Sequence, residues 1–151
     1  MAYKVFLDVN VLLDFTLKRE NYVDCKNLIK SIEDGFHDGY ITSATLHTLS
    51  YFLTKELGLK VAKEVLLNLL STFSIIDAKK ETIKNAIHAK FNDIEDALQV
   101  YTALSFKMDF FLTSDKKLKN KSVIKIVRNI SYILKCKIIN FISKLDANFL
   151  F

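Results

Sequence analysis

The feature that most constrains this chain is an alternation: short apolar runs without a two-residue period are separated by longer segments whose apolar residues recur at three and four. Residues 3–9 (YKVFLDV) are the first such run, and with no polar face they suit a strand covered on both sides, as in a parallel sheet. Tyr22, Val23, Cys25, Leu28, Ile29 and Ile32 then recur with helical spacing and stop near Gly35. Residues 40–42 are a brief second strand candidate. Leu46, Leu49, Phe52, Leu53 and Leu57 predict a helix ending at Gly58, and Val61, Val65, Leu66, Leu69 and Leu70 predict the next. Strand character returns over 73–76 and helical character over 79–90. A further helix opens at Asp93, a capping residue, with Ile94, Ala97, Leu98, Tyr101 and Leu104 on one stripe. Residues 110–113 and 123–127 read as two more strands. This order predicts the α/β class, with a central, mostly parallel sheet of four to five strands flanked by helices. The chain has no proline, only three glycines, and neither repeat nor linker, so residues 1–151 are expected to form one domain.

Composition narrows the function classes. A chain of 151 residues, 50% hydrophobic and 26% charged, is long enough for a single core and too apolar to be disordered. Its longest stretch without a formal charge, residues 39–54, is too short and too rich in Ser and Thr to span a bilayer, so no membrane segment is expected. Asp8 interrupts the first apolar run before a signal-like segment develops, which predicts a cytoplasmic protein. Cys25 and Cys136 lack metal-ligand spacing and read as free thiols. The net charge of +5 suits an anionic partner, and Lys116, Lys117, Lys119, Lys121, Lys125 and Arg128 concentrate the excess in a stretch without an acid. A solvated basic face explains the same run. The tail, 130–151, carries more Ile, Leu and Phe than one helix buries, which predicts a homodimer and an apolar groove for a partner peptide.

The acids carry the chemistry. Asp8 ends the first predicted strand and Asp115 follows the strand at 110–113, so in a parallel sheet both sit on one edge. Asp93 and Asp96 open the helix leading into that later strand, and helix amino termini in βα folds face the same edge. Four carboxylates so crowded repel one another unless a hard cation offsets their charge. Mg²⁺ or Mn²⁺ fits such oxygen donors and leaves room for water and phosphate, which points to metal-assisted phosphodiester hydrolysis. Taken singly, each acid has a plainer explanation: Asp93 caps, Asp96 suits the helix dipole, and Asp8 and Asp115 are turn residues. Asn10, Thr113 and Ser114 could orient an acid or a phosphate, and Arg19, Lys116 and Lys117 could reach phosphates. Turn chemistry and solvent exposure account for these equally.

The segments FLDVNVLLDFTLKRENY, ITSATLHTLSYFLTKELG, NDIEDALQVYTAL and DFFLTSDKKL, in this order, resemble the PIN-domain ribonucleases over about residues 3–120. The likeness is to the branch holding the toxins of VapBC-type toxin–antitoxin pairs. It implies a PIN-like domain that cleaves RNA with Mg²⁺ or Mn²⁺, a small antitoxin partner, catalytic and metal-binding roles for Asp8, Asp96 and Asp115, and Asp93 as an additional metal acid. Many PIN domains carry a glutamate early in the helix after the second strand, where this chain has His47 and Thr48. Two alternatives stay beside the endoribonuclease: a catalytically weakened PIN-like module that binds RNA or a protein, and a haloacid-dehalogenase-like phosphatase. The second wants an Asp two residues after the first, where Asn10 stands, and a threonine two further, where Leu12 stands.

Overall fold

In the computed structural model, which describes residues 2–114 and 125–127, the strand β1 (Tyr3–Leu7) lies at the centre of a five-stranded sheet. Its neighbours are β2 (His37–Ile41) on one side and β4 (Phe110–Leu112) on the other, with β3 (Ser74–Ile75) beyond β2 and β5 (Lys125–Val127) beyond β4. Every pairing is parallel, Val5 standing opposite both Gly39 and Phe110. The helices are α1 (Val9–Thr16), α2 (Tyr22–Glu33), α3 (Ser43–Leu57), α4 (Leu59–Thr72), α5 (Lys80–His88) and α6 (Ile94–Ser105).

The missing two-residue period of β1 has the predicted cause. Val5 and Leu7 face a core built with Leu12 of α1, Leu28 of α2, Leu49 and Leu53 of α3 and Leu69 of α4. Phe6 points to the opposite face, where it meets Phe111 edge-on at 5.2 Å and packs with Val100 and Ala103 of α6. Val5, Phe6 and Leu7, the last three of the five residues of β1, are fully buried, so neither face can be polar there. Gly58, at a φ of 81°, provides the left-handed turn that separates α3 from α4.

Two expectations are corrected. The first strand stops at Leu7 rather than residue 9, and α1 follows at once, where no helix was foreseen. Val11, Leu12 and Leu13 are all buried, and that density of apolar residues hides the helical period. The second strand is His37–Ile41 rather than 40–42, and Thr42 is already the cap of α3, accepting from the Thr45 backbone N–H at 3.0 Å. Its polar sequence, HDGYI, is held extended by pairing with β1. Among the described residues no helix is long and apolar enough to cross a membrane. The tail 130–151, Cys136 and most of the basic stretch lie outside the described residues.

Candidate active site at the carboxyl edge of the sheet

The chain leaves β1 toward β2 and β3 on one side, and the later strands β4 and β5 add on the other. The carboxyl ends of β1 and β4 therefore flank a topological switch point, where open α/β sheets form their crevice. Asp8 stands at the end of β1, its backbone N–H donating to the Leu112 carbonyl of β4 at 2.9 Å. It is the residue before the first turn of α1, yet its side chain makes no capping bond. Asp8 is 5% exposed, and its Oδ2 accepts from the Thr113 hydroxyl at 2.8 Å and the Asn10 amide at 3.3 Å. Both bonds fall on one oxygen, and among the described residues no group bonds Oδ1. The local capping role is declined in favour of a residue 105 positions away.

Asp93 and Asp96 divide the roles at the start of α6. Asp93 is exposed and caps the helix, its Oδ1 accepting from the Glu95 N–H at 2.7 Å and the Asp96 N–H at 3.4 Å. Asp96 is half-buried in the first turn, and its carboxylate is not used as the cap. Thr113 is buried, holding Asp8, and Ser114 next to it is half-buried. Arg19 lies exposed in the turn between α1 and α2. Asp115, Lys116 and Lys117 lie outside the described residues. Among the described residues no three His, Cys, Asp or Glu side chains group as a metal site. The described donors nonetheless suit a hard cation, being carboxylate oxygens, one of them buried and already oriented by neutral groups.

A cavity of about 410 Å³ opens at this edge between α3, α5 and α6, and Val9, the residue after Asp8, forms part of its wall. Thr48, named above from sequence, lines it, as do Asp77 and Gln99, which were not singled out. Thr48 lies in the stretch where many PIN domains carry their glutamate, and it lines the cavity, whereas His47 is exposed. Asp77 follows β3 and accepts from the Ser43 N–H at 3.0 Å and its hydroxyl at 2.8 Å, closing the start of α3. The strand-end placement that marks Asp8 also marks Asp77, so this acid was legible in principle. Gln99 carried no signal beyond lying one turn past Glu95 on α6.

By fold, the chain is similar to the Pyrobaculum aerophilum protein PAE2754, with a TM-score of 0.60 and 21% identity over 91% of this chain and 98% of that one. It is similar to VapBC2 from Rickettsia felis, solved bound to a DNA fragment from its promoter, with a TM-score of 0.57 and 17% identity over 82% and 96% of the two chains. A third likeness is to VapC20 from Mycobacterium tuberculosis, a sarcin-ricin loop cleaving toxin, with a TM-score of 0.56 and 10% identity over 71% and 86%. No curated protein sequence matches significantly. A family model described as PIN domain matches residues 4–117, and the chain accordingly belongs to the PIN domain family.

Proposed function

We propose that the protein is a Mg²⁺- or Mn²⁺-dependent endoribonuclease, acting in the cytoplasm as the toxin of a toxin–antitoxin pair. The observation that carries this is Asp8: a buried carboxylate at the switch point, held through Oδ2 by Thr113 and Asn10, with Oδ1 left for a ligand. Family membership and the fold likeness to VapC20 support the reaction class. Asp8, Asp96 and Asp115 are the catalytic acids and would hold the ion. Asp93 caps α6 through Oδ1 and so fixes the first turn and with it Asp96, and its Oδ2 would add a further ligand to the ion. Bound there, the cation supplies an activated water and offsets phosphate charge. The protein's part is to hold the acids in place, Thr113 and Asn10 fixing the Asp8 carboxylate and Ser114 standing beside Asp115. Lys116, Lys117 and Arg19 would contact the RNA backbone.

Against a haloacid-dehalogenase-like phosphatase, Leu12, where that chemistry wants a threonine, is fully buried in the core. The weakened-module alternative draws on Thr48, which leaves that position of α3 without a carboxylate. Incubation of the protein with mixed single-stranded RNA decides between them. Cleavage is expected with Mg²⁺ or Mn²⁺, abolished by EDTA, and reduced by at least about 100-fold in Asp96→Asn, which keeps shape but loses ligand charge. RNA binding with no cleavage under any metal would favour the module, and cleavage undiminished by EDTA would refute the metal.

An antitoxin partner is proposed from the likeness to VapBC2. A second cavity of about 460 Å³, walled by Phe15, Tyr22, Ile29, Val65 and Leu69 between α1, α2 and α4, would receive an apolar segment of it. A homodimer is proposed as well, and exposed Leu67, Tyr51 and Ile94 add to the apolar surface that assembly would cover. Co-expression with the neighbouring gene, followed by sedimentation of the free and co-purified protein, tests both partners.

A further inference from the structure

We infer that the cavity between α3, α5 and α6 is a nucleobase subsite selecting bases that carry an exocyclic amino group, with Gln99 as the reading residue, a proposal that rests on the ribonuclease function above. Position comes first. Val9 belongs to the cavity wall and Asp8 is its chain neighbour, so a base seated there is attached to the strand that reaches the acids. At about 410 Å³ the cavity falls within the usual range for small-molecule sites. Val9, Ala44, Ile83 and Leu98 supply apolar walls suited to the faces of a flat ring.

The hydrogen-bonding groups then decide what can enter. Thr42 and Thr45 bond each other at 2.9 Å, Thr102 donates to the Leu98 carbonyl at 2.6 Å, and Ser43 donates to Asp77 at 2.8 Å. These groups are committed within the protein. The Gln99 side-chain oxygen is buried and has no hydrogen-bond partner among the described residues. A buried acceptor left unmet is costly, and a turn of the side chain into the cavity would offer it to a ligand donor. Asp77 and Glu95 also line the cavity, so its field is acidic as well as acceptor-rich.

Phosphate is repelled by that arrangement, whereas the amino edges of adenine, cytosine and guanine present the donors it lacks. Uracil has a single ring donor flanked by two carbonyls, which would face the carboxylates, and is therefore the disfavoured base. Gln99 acts on which base is bound, and the acids act on the phosphodiester.

Nucleosides provide a test that needs no cleavage. The backbone amides of cavity residues such as Val9, Thr48 and Leu98 are followed by nitrogen-15 NMR in the full-length wild type and both Gln99 variants during titration with adenosine, cytidine, guanosine and uridine at millimolar concentrations. The expected result is a saturable shift with the three amino-bearing nucleosides, at least about 10-fold weaker with uridine. Gln99→Leu removes the acceptor at similar volume and should erase that difference, while Gln99→Glu keeps an acceptor and should retain it. Equal response to all four nucleosides, no response to any, or a Gln99→Leu protein that still discriminates would overturn the subsite. In parallel, the cut sites of wild type and Gln99→Leu are mapped on one RNA. If nucleosides bind as expected and no RNA is cut, the ribonuclease function fails while the subsite stands. If RNA is cut with metal but the maps coincide and nucleosides are not discriminated, the subsite fails and the ribonuclease stands.

Discussion

Asp8 begins a helix and leaves it uncapped, because its carboxylate is held instead by Thr113 from the far side of the switch point. That makes Thr113 a positioning residue with a measurable role. Thr113→Val keeps the shape and removes the hydroxyl, and cleavage is expected to fall by about 10–100-fold with little change in thermal stability. An unchanged rate would show that Asn10 and the backbone orient Asp8 without the Thr113 hydroxyl. Cys25 illustrates the opposite use of burial. Its thiol is 1% exposed and pushed up to about 12, first by burial and then by the nearby charges of Asp14 and Asp24. The folded chain therefore favours the neutral thiol, and an unfolded chain ionises it near 9.0. This contribution to stability is complete below about pH 9 and declines as pH rises toward about 12. At pH 8, iodoacetamide should leave Cys25 unmodified in native protein and alkylate it in urea, with peptide mass mapping separating it from Cys136.

At the scale of elements, β2 shows how tightly one strand is fitted beneath a helix end. A Cβ at Gly39 would meet the Phe73 ring at 2.6 and 2.7 Å and Ile32 Cδ1 at 3.0 Å. Phe73 closes α4 and is buried, so the ring has little room to withdraw. Gly39→Ala is expected to destabilise by about 1–3 kcal/mol and to lower the Tm by several degrees in a thermal melt. An unchanged melting temperature would mean that Phe73 repacks freely. The start of α3 is secured twice, by Thr42 from within and by Asp77 from the end of β3. One wall of the cavity is thereby tied to the sheet edge that carries Asp8.

At the scale of the molecule, the strand order β3-β2-β1-β4-β5 is what turns separated acids into a candidate site. It sets the ends of β1 and β4 side by side and orients the amino terminus of α6 toward them. The excess positive charge then has a testable consequence. If Lys116, Lys117 and Lys119 follow the path of bound RNA, replacing all three by Gln lowers the slope of log affinity against log salt by about 0.7 per lysine. A filter-binding series across salt concentrations measures it, and a slope equal to the parent's would assign the run to solvent.

Local physics was legible along the chain. The α/β class, the positions of most elements, the cap at Asp93 and the strand-end place of Asp8 all follow from periodicity, capping and turn chemistry within a few residues. What escaped was decided by partners distant in sequence. Helix α1 was hidden because burial on several sides made its apolar residues continuous, and β2 took a polar sequence because pairing with β1 holds it. The bond from Thr113 to Asp8 and the bond from Ser43 to Asp77 span 105 and 34 residues, and no local pattern encodes either. The same holds for Gln99, an ordinary helical residue in sequence. Packing of α6 against α5, with α3 lining the same cavity, leaves its side-chain oxygen buried without a partner among the described residues, a condition that exists only once the chain has folded.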